Sequence, residues 1–246
     1  MASLGLALAL CIFLIPYARS YRPGHRLAVR WEGLFIDLNV RDFGASFNEC
    51  YGKKVIVEGR LFRAAQWFSG WSCSRVGNPE VMYSLNSSPN GTPEYFCNSN
   101  EGSKIIGRHF VRHRQLSDLE FMENWADASV RDDFCPYLSD SFNEISNGTK
   151  VLFHCDAGRD RTGLIAAVIL GLTLERAGRF DNPSLEAIEC DYRKSKSLVP
   201  AKYGRMSAFL EAVKAKGGIG AFISAQCNLD PNLIARAADR LLSASQ

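Results

Sequence analysis

A chain of 246 residues in which 46% of the side chains are hydrophobic can enclose one sizeable core, which excludes a disordered or fibrous protein and fits a single domain. Its formal net charge of +3, from 29 basic and 26 acidic side chains, offers no basic field of the kind that holds nucleic acid, so no nucleic-acid partner is expected.

The run LGLALALCIFLI at residues 4–15, followed by PYARS with small residues at Ala18 and Ser20, reads as a signal peptide cleaved after Ser20, although no positive charge precedes it. The run is too short to span a bilayer comfortably, and no other stretch is long enough, so no membrane span is expected. Residues 21–246 then form one domain of a secreted or otherwise extracytoplasmic protein. Removing the leader takes one arginine and no acidic residue, which leaves the mature part nearly neutral.

Residues 31–66 carry short strand-like runs, LFIDL and KVIVEGRLF, punctuated by glycine turns. The stretch 67–103 is rich in Ser, Asn, Gly and Pro, lacks periodicity, and reads as a long excursion from the core that Cys73 and Cys97 could staple. Asn86 and Asn147 head glycosylation sequons, and Asn90 heads one weakened by Pro93. Residues 116–129 place Leu116, Leu119, Phe121, Met122 and Trp125 near one helical face, with Ser117 as N-cap. KVLFH at 150–154 has the continuous apolar character of a strand buried on both faces. Directly behind it, TGLIAAVILGLTLERAG is apolar nearly all round and predicts a central helix stopping at Gly178. Three more helices are expected: one starting at Asn182 and Pro183, one over RMSAFLEAVKAK before a Gly-Gly stop, and one over PNLIARAADRLL.

With Cys11 gone in the leader, Cys50, Cys73, Cys97, Cys135, Cys155, Cys190 and Cys227 remain. An odd set in an exported protein suggests pairs plus one free thiol. If Cys155 is the free one, the other six could form three disulfides of unspecified connectivity, although Cys190, inside a predicted helix, also suits a small buried hydrophobe.

The chemistry concentrates in FHCDAGRDRTG, residues 153–163, between the buried strand and the central helix. The first amides of a helix lack intrahelical partners, and its dipole puts positive potential there, so a strand, a glycine turn and a helix start together make an anion site. A thiol in that place ionises readily, making Cys155 a candidate thiolate nucleophile. Arg161 supplies a planar fork matched to two phosphate oxygens. The backbone from Asp156 through Ala157, Gly158 and Arg159 to Asp160 can curl into a cradle of N–H groups, Gly158 allowing close approach. The Thr162 hydroxyl is placed to stabilise the sulfur as a leaving group. A buried structural cysteine beside a helix cap is the plainer reading, but it leaves the Arg161 guanidinium without a purpose.

This loop resembles that of the cysteine-based phosphatases, whose H-C-x-x-G-x-x-R-[ST]-G pattern it matches throughout. The resemblance implies an α/β domain with a central, mostly parallel sheet flanked by helices, and hydrolysis of phosphate monoesters without metal or other cofactor. It implies that Cys155 attacks phosphorus, that Arg161 binds the phosphoryl oxygens, and that His154 behind the cysteine tunes the thiolate. A carboxylic acid then protonates the leaving oxygen. In many members it stands upstream, which points to Asp127, Asp132, Asp133 or Asp140. The DRT ending is similar to that of myotubularin-like and secreted bacterial phosphatases and favours Asp160. Against it, Arg159 and Arg161 would lower the pKa of Asp160 and could leave it merely orienting the loop. Three other stretches, NVRDFG at 39–44, EGRLFRAA at 58–65 and AIECDYRKS at 187–195, look like segments of the bacterial tyrosine and lipid phosphatases in the same order. The "DLR" strand segment of that group is not evident.

Arg159 adds a second cation to the loop, and Arg193, Lys194 and Lys196 cluster on a later helix, although solvated lysines and arginines near a helix end are ordinary. A phosphorylated protein, a phosphoinositide or a small phosphate ester are all candidate substrates. Two rival readings are a non-catalytic phosphate-recognition module and a sulfurtransferase; the intact Cys155, Asp160 and Arg161 disfavour the first, and the Arg161-Thr162-Gly163 ending the second. His109 and His113 share a helical spacing but lack a third metal ligand.

Overall fold

The computed structural model describes residues 39–86, 95–108, 122–126, 128–196 and 198–243. The leader, the LFIDL run, Asn90, His109, His113, Ser117 and Asp127 lie outside them, as does the side chain of Asp133.

Six strands form one sheet: β1 (Arg41–Asp42), β2 (Leu61–Ala65), β3 (Val81–Ser84), β4 (Phe96–Asn98), β5 (Lys104–Arg108) and β6 (Val151–Cys155), in the order β1-β2-β6-β3-β5-β4. The four central strands run parallel, and only the edges, β1 on β2 and β4 on β5, pair antiparallel. Among the described residues seven helices accompany the sheet: α1 (Phe43–Tyr51), α2 (Ala128–Ser146), α3 (Asp160–Arg176), α4 (Asn182–Arg193), α5 (Arg205–Lys214), α6 (Ile219–Cys227) and α7 (Pro231–Leu241). The expected α/β fold with a mostly parallel central sheet is the one observed.

All five residues of β6 are buried, as a strand covered on both faces requires. Its side chains alternate between two cores. Val151, Phe153 and Cys155 join the large cluster built with the helices, while Leu152 joins a smaller one with Ala64, Phe68, Cys73, Val76, Met82 and Cys97. This second cluster corrects the reading of 67–103 as an excursion. That stretch supplies β3, wholly buried next to β6, and covers the sheet's other face, stapled there by the Cys73–Cys97 disulfide. A four-residue strand between polar loops is too short to carry a periodic signal.

The other two bridges are Cys50–Cys190, joining α1 to α4, and Cys135–Cys227, joining α2 to α6; Cys155 is the free thiol among the described cysteines. Cys190 is therefore bonded and not a lone hydrophobe. Of the helix expected over 116–129, residues 116–121 and 127 lie outside the described residues, Met122–Ala126 is a 3-10 turn, and residues 128 and 129 open α2. Between 54 and 62 only an isolated bridge at Ile56 and the start of β2 are extended.

Four helices follow α3, not three. α4 starts at Asn182 as expected and is capped by Asp181: the Asp181 carboxylate accepts from Ser184 N, and the Ser184 hydroxyl accepts from Asp181 N. The additional helix, α6, takes its N-terminal hydrogen bonds from Glu175, whose carboxylate accepts from Ile219 N at 3.0 Å and Gly220 N at 2.7 Å. The central helix α3 ends at Arg176, and Gly178 just beyond it is left-handed, as a helix stop favours.

Candidate active site

Cys155 is the last residue of β6 and Asp160 the first of α3, so the loop 156–159 lies at the carboxyl ends of the parallel strands, where open α/β sheets leave a crevice. Cys155 is 3% exposed. Gly158 holds a left-handed φ of 63° and lies against the backbone of Ala64 and Ala65 at the end of β2.

The loop's shape is fixed from behind, carbonyl by carbonyl. The carbonyl of Asp156 accepts from Gln66 N at 3.2 Å. That of Ala157 accepts from Asn39 Nδ2 at 2.7 Å. The carbonyls of Gly158 and Arg159 accept from Arg63 Nη2 at 3.0 and 3.1 Å. In a trans peptide the N–H points opposite to the C=O, so four carbonyls turned outward aim the amides of Ala157, Gly158, Arg159 and Asp160 the other way. Amides so directed could line a cradle for an anion, and the N-terminus of the 17-residue helix α3 adds its positive potential.

Arg161 lies across the loop. Its Nη1 donates to Leu85 O at 2.5 Å and its Nη2 to Asp156 Oδ2 at 3.0 Å. The guanidinium thus spans the end of β3 and the loop's first residue. Thr162 is buried, and its hydroxyl has no hydrogen-bond partner among the described residues. Such an arrangement can hold a tetrahedral dianion over a sulfur.

The sequence comparison agrees with this geometry. A family model described as "Tyrosine phosphatase family" matches residues 107–243, which hold β6, the loop and α2 to α7. The chain belongs to the tyrosine phosphatase family. No curated protein matches it.

Within this phosphatase domain the surroundings of the remaining expected residues differ from one another. Asp160 accepts from Tyr192 Oη at 2.7 Å and pairs with Lys202 Nζ at 2.8 Å. Burial alone would raise its pKa, but the bonds from Lys202 and Tyr192 and the charges of Lys202 and Arg159 outweigh it and hold the carboxyl below its usual range. An acid so held is ionised at neutral pH. Asp132 is exposed and Asp140 half-buried, both on α2. His154 is wholly buried between the edges of Phe68 and Tyr95, at centroid distances of 5.2 and 4.9 Å. Burial, helped by the charge of Arg161, lowers it to about 3, so it stands behind the cysteine as a neutral ring. The basic cluster is largely engaged elsewhere: Arg193 stacks on Tyr203 and Lys194 pairs with Glu49 at 2.7 Å. Among the described residues no three His, Cys, Asp or Glu side chains gather to hold a metal.

Sequence reasoning missed the residues behind the loop. Arg63, on β2 and 0% exposed, donates through Nη1 to Asp191 Oδ2 at 2.6 Å. Arg41 on β1 donates through Nε to the other oxygen, Oδ1, at 2.8 Å, and through Nη2 to Ser195 Oγ at 3.0 Å. Asn39 donates to Ala157 O while its own Oδ1 accepts from Lys196 N at 2.7 Å. Asn39, Arg41, Arg63, Asp191, Tyr192 and Ser195 all belong to the three outlying stretches whose likeness to bacterial phosphatases was visible. Their convergence on one loop was the signal those stretches carried.

Proposed function

We propose that the chain is an exported phosphatase that hydrolyses phosphate monoesters through a cysteinyl-phosphate on Cys155. What carries this reading is the free cysteine at the foot of a loop whose four carbonyls are all tied outward, beside a guanidinium within reach of the same loop. In the first step the Cys155 thiolate forms a P–S bond as the ester P–O bond breaks, and the departing oxygen takes a proton from a carboxylic acid. In the second, water attacks phosphorus and the thiolate departs, aided by the Thr162 hydroxyl and the loop amides. Arg161 exchanges Leu85 O and Asp156 for two phosphoryl oxygens, stabilising charge that builds in both transition states.

Asp160 acts here as a carboxylate that fixes Lys202 and Tyr192 beside the loop, and the proton comes from Asp127, Asp132, Asp133 or Asp140. Replacing the acid removes the basic limb of the pH–rate profile and slows phenyl phosphate far more than para-nitrophenyl phosphate, whose leaving group needs no proton. Phosphotyrosine, a phosphoinositide and smaller phosphate esters are the candidate substrates. Three disulfides fit a protein that matures in an oxidising compartment, in accord with a leader at residues 1–20.

Turnover of para-nitrophenyl phosphate, blocked by vanadate and abolished in Cys155→Ser with the melting temperature retained, is the expected result. Undiminished turnover in that variant refutes the mechanism. Vanadate binding without turnover in the parent chain would leave a phosphate-recognition module instead.

A further inference from the structure

Arg63 is a fully buried cation in the middle of a strand, a position that charged side chains take only when paired. Its pairing does more than neutralise it. Asp191 carries one negative charge, shared between Arg63 on one oxygen and Arg41 on the other, so the three side chains together keep one positive charge. The surplus faces the phosphate loop: one terminal nitrogen of Arg63 is spent on Asp191, and the other points at the carbonyls of Gly158 and Arg159.

Resting on the phosphatase reading above, we infer that Arg63 is a positioning residue of the phosphate loop, holding the Gly158 and Arg159 peptides so that their amides meet the substrate's phosphoryl oxygens. The Arg159 carbonyl also accepts from Gly163 N in the first turn of α3, so without Arg63 it is the buried Gly158 carbonyl that would turn toward whatever donors the front of the loop offers, and the amide of Arg159 would turn away with it. Lysine cannot replace arginine here. An ammonium is a point charge without the planar fork needed to reach a carboxylate on one side and two carbonyls on the other. Asp191 acts through Arg63, setting its plane. Burial, and the neighbouring charge of Arg41, lower Arg63 to about 10 against the upward pull of Asp191, so it stays protonated across the range in which a phosphatase is assayed. Asn39 does the same work for the Ala157 peptide.

Arg41 supplies the comparison that separates positioning from mere stability. It bonds the same carboxylate and is also mostly buried, yet it touches no loop carbonyl. Arg41→Lys and Arg63→Lys therefore weaken the same ion-pair group, and only the second releases the loop. The test measures para-nitrophenyl phosphate kinetics, vanadate inhibition and melting temperature for the parent chain, Cys155→Ser, Arg63→Lys, Arg41→Lys and Asn39→Asp. Loss of turnover in Cys155→Ser first secures the reaction itself; if the parent chain has none, the functional reading fails independently of this inference. Given turnover, Arg63→Lys lowers kcat/KM by about a hundredfold and weakens vanadate at least tenfold more than Arg41→Lys does, because a loop displaced by about an ångström loses that much. Equal effects of the two on vanadate, at similar melting temperatures, overturn the inference. Should Arg63→Lys not fold, Asn39→Asp decides: it removes one tether outside the Arg63–Asp191–Arg41 ion-pair group, and vanadate inhibition unchanged from the parent overturns the role of the outward carbonyls.

Discussion

Replacing Gly158 by alanine probes the seam between the loop and the sheet. A Cβ at this position would lie 2.6 Å from the carbonyl carbon and oxygen of Ala64 and 2.6 Å from the amide nitrogen of Ala65. Comfortable carbon contacts are about 3.5–4.0 Å, so the loop and strand must part by about 1 Å. Neither can give easily, since Ala64 and Ala65 pair in register with His154 and Cys155. The left-handed backbone, φ 63°, adds about 1–2 kcal/mol for any residue with a Cβ. Overpacking adds about 1–3 kcal/mol. Gly178 provides the control: its φ is 65° and a Cβ there meets nothing within 4 Å, so Gly178→Ala carries only the backbone cost. The two variants should differ by about 1–3 kcal/mol, or roughly 2–12 °C in melting temperature for a domain of this size. Thermal unfolding of both, with disulfides intact, and their kcat/KM on para-nitrophenyl phosphate are the measurements. Gly158→Ala should also lose about a hundredfold in kcat/KM, whereas Gly178→Ala should not. Equal melting temperatures together with full activity in Gly158→Ala would refute the close approach of strand and loop.

The Asp156 carboxylate occupies the Arg161 guanidinium that an incoming phosphate needs, so Asp156→Asn should lower KM and the vanadate inhibition constant severalfold with kcat little changed; a raised KM counts against this competition. His154 sits at about 3 in the fold against an ordinary 6.5, which means the unfolded chain binds the extra proton first. Its contribution to stability is therefore complete above pH 6.5 and lost progressively as the pH falls toward 3, and His154→Leu should flatten the melting-temperature profile across that window. An unaltered slope in that variant would place the acid sensitivity elsewhere. Tyr192→Phe removes one bond that holds Asp160 down, so the carboxyl should titrate higher, measurable by NMR in the two proteins, while a value at or below the parent's would show that Lys202 and Arg159 set it without Tyr192.

The strand, the loop and the central helix were legible because each rests on neighbours in the chain: an apolar run, a glycine turn, a helix start. The free thiol and the Cys73–Cys97 staple were legible for similar reasons, one from an odd cysteine set and the other from a long loop with two cysteines. What escaped depends on partners far along the chain. α6 is nearly apolar and lacks a local cap, because Glu175, some forty residues earlier, supplies it. α2 contains Pro136, which reads as a helix breaker, yet the Cys135–Cys227 bridge and the burial of Phe134, Tyr137 and Leu138 outweigh the lost hydrogen bond. Arg63 and Asp191 stand 128 residues apart, so neither side chain announces the other. Nor does any local pattern reveal that Asp160 would be pinned by a lysine and a tyrosine from beyond its own helix.

The Cys50–Cys190 bridge ties together residues 140 apart, and the second of them immediately precedes Asp191. Sulfur oxidation during maturation and the shaping of the catalytic pocket thus converge on one turn of α4. A chain in a reducing environment lacks the covalent clamp on the very segment that steadies Arg63, and an oxidising one supplies it. Redox state and the seating of the phosphate loop are in this way written into adjacent residues.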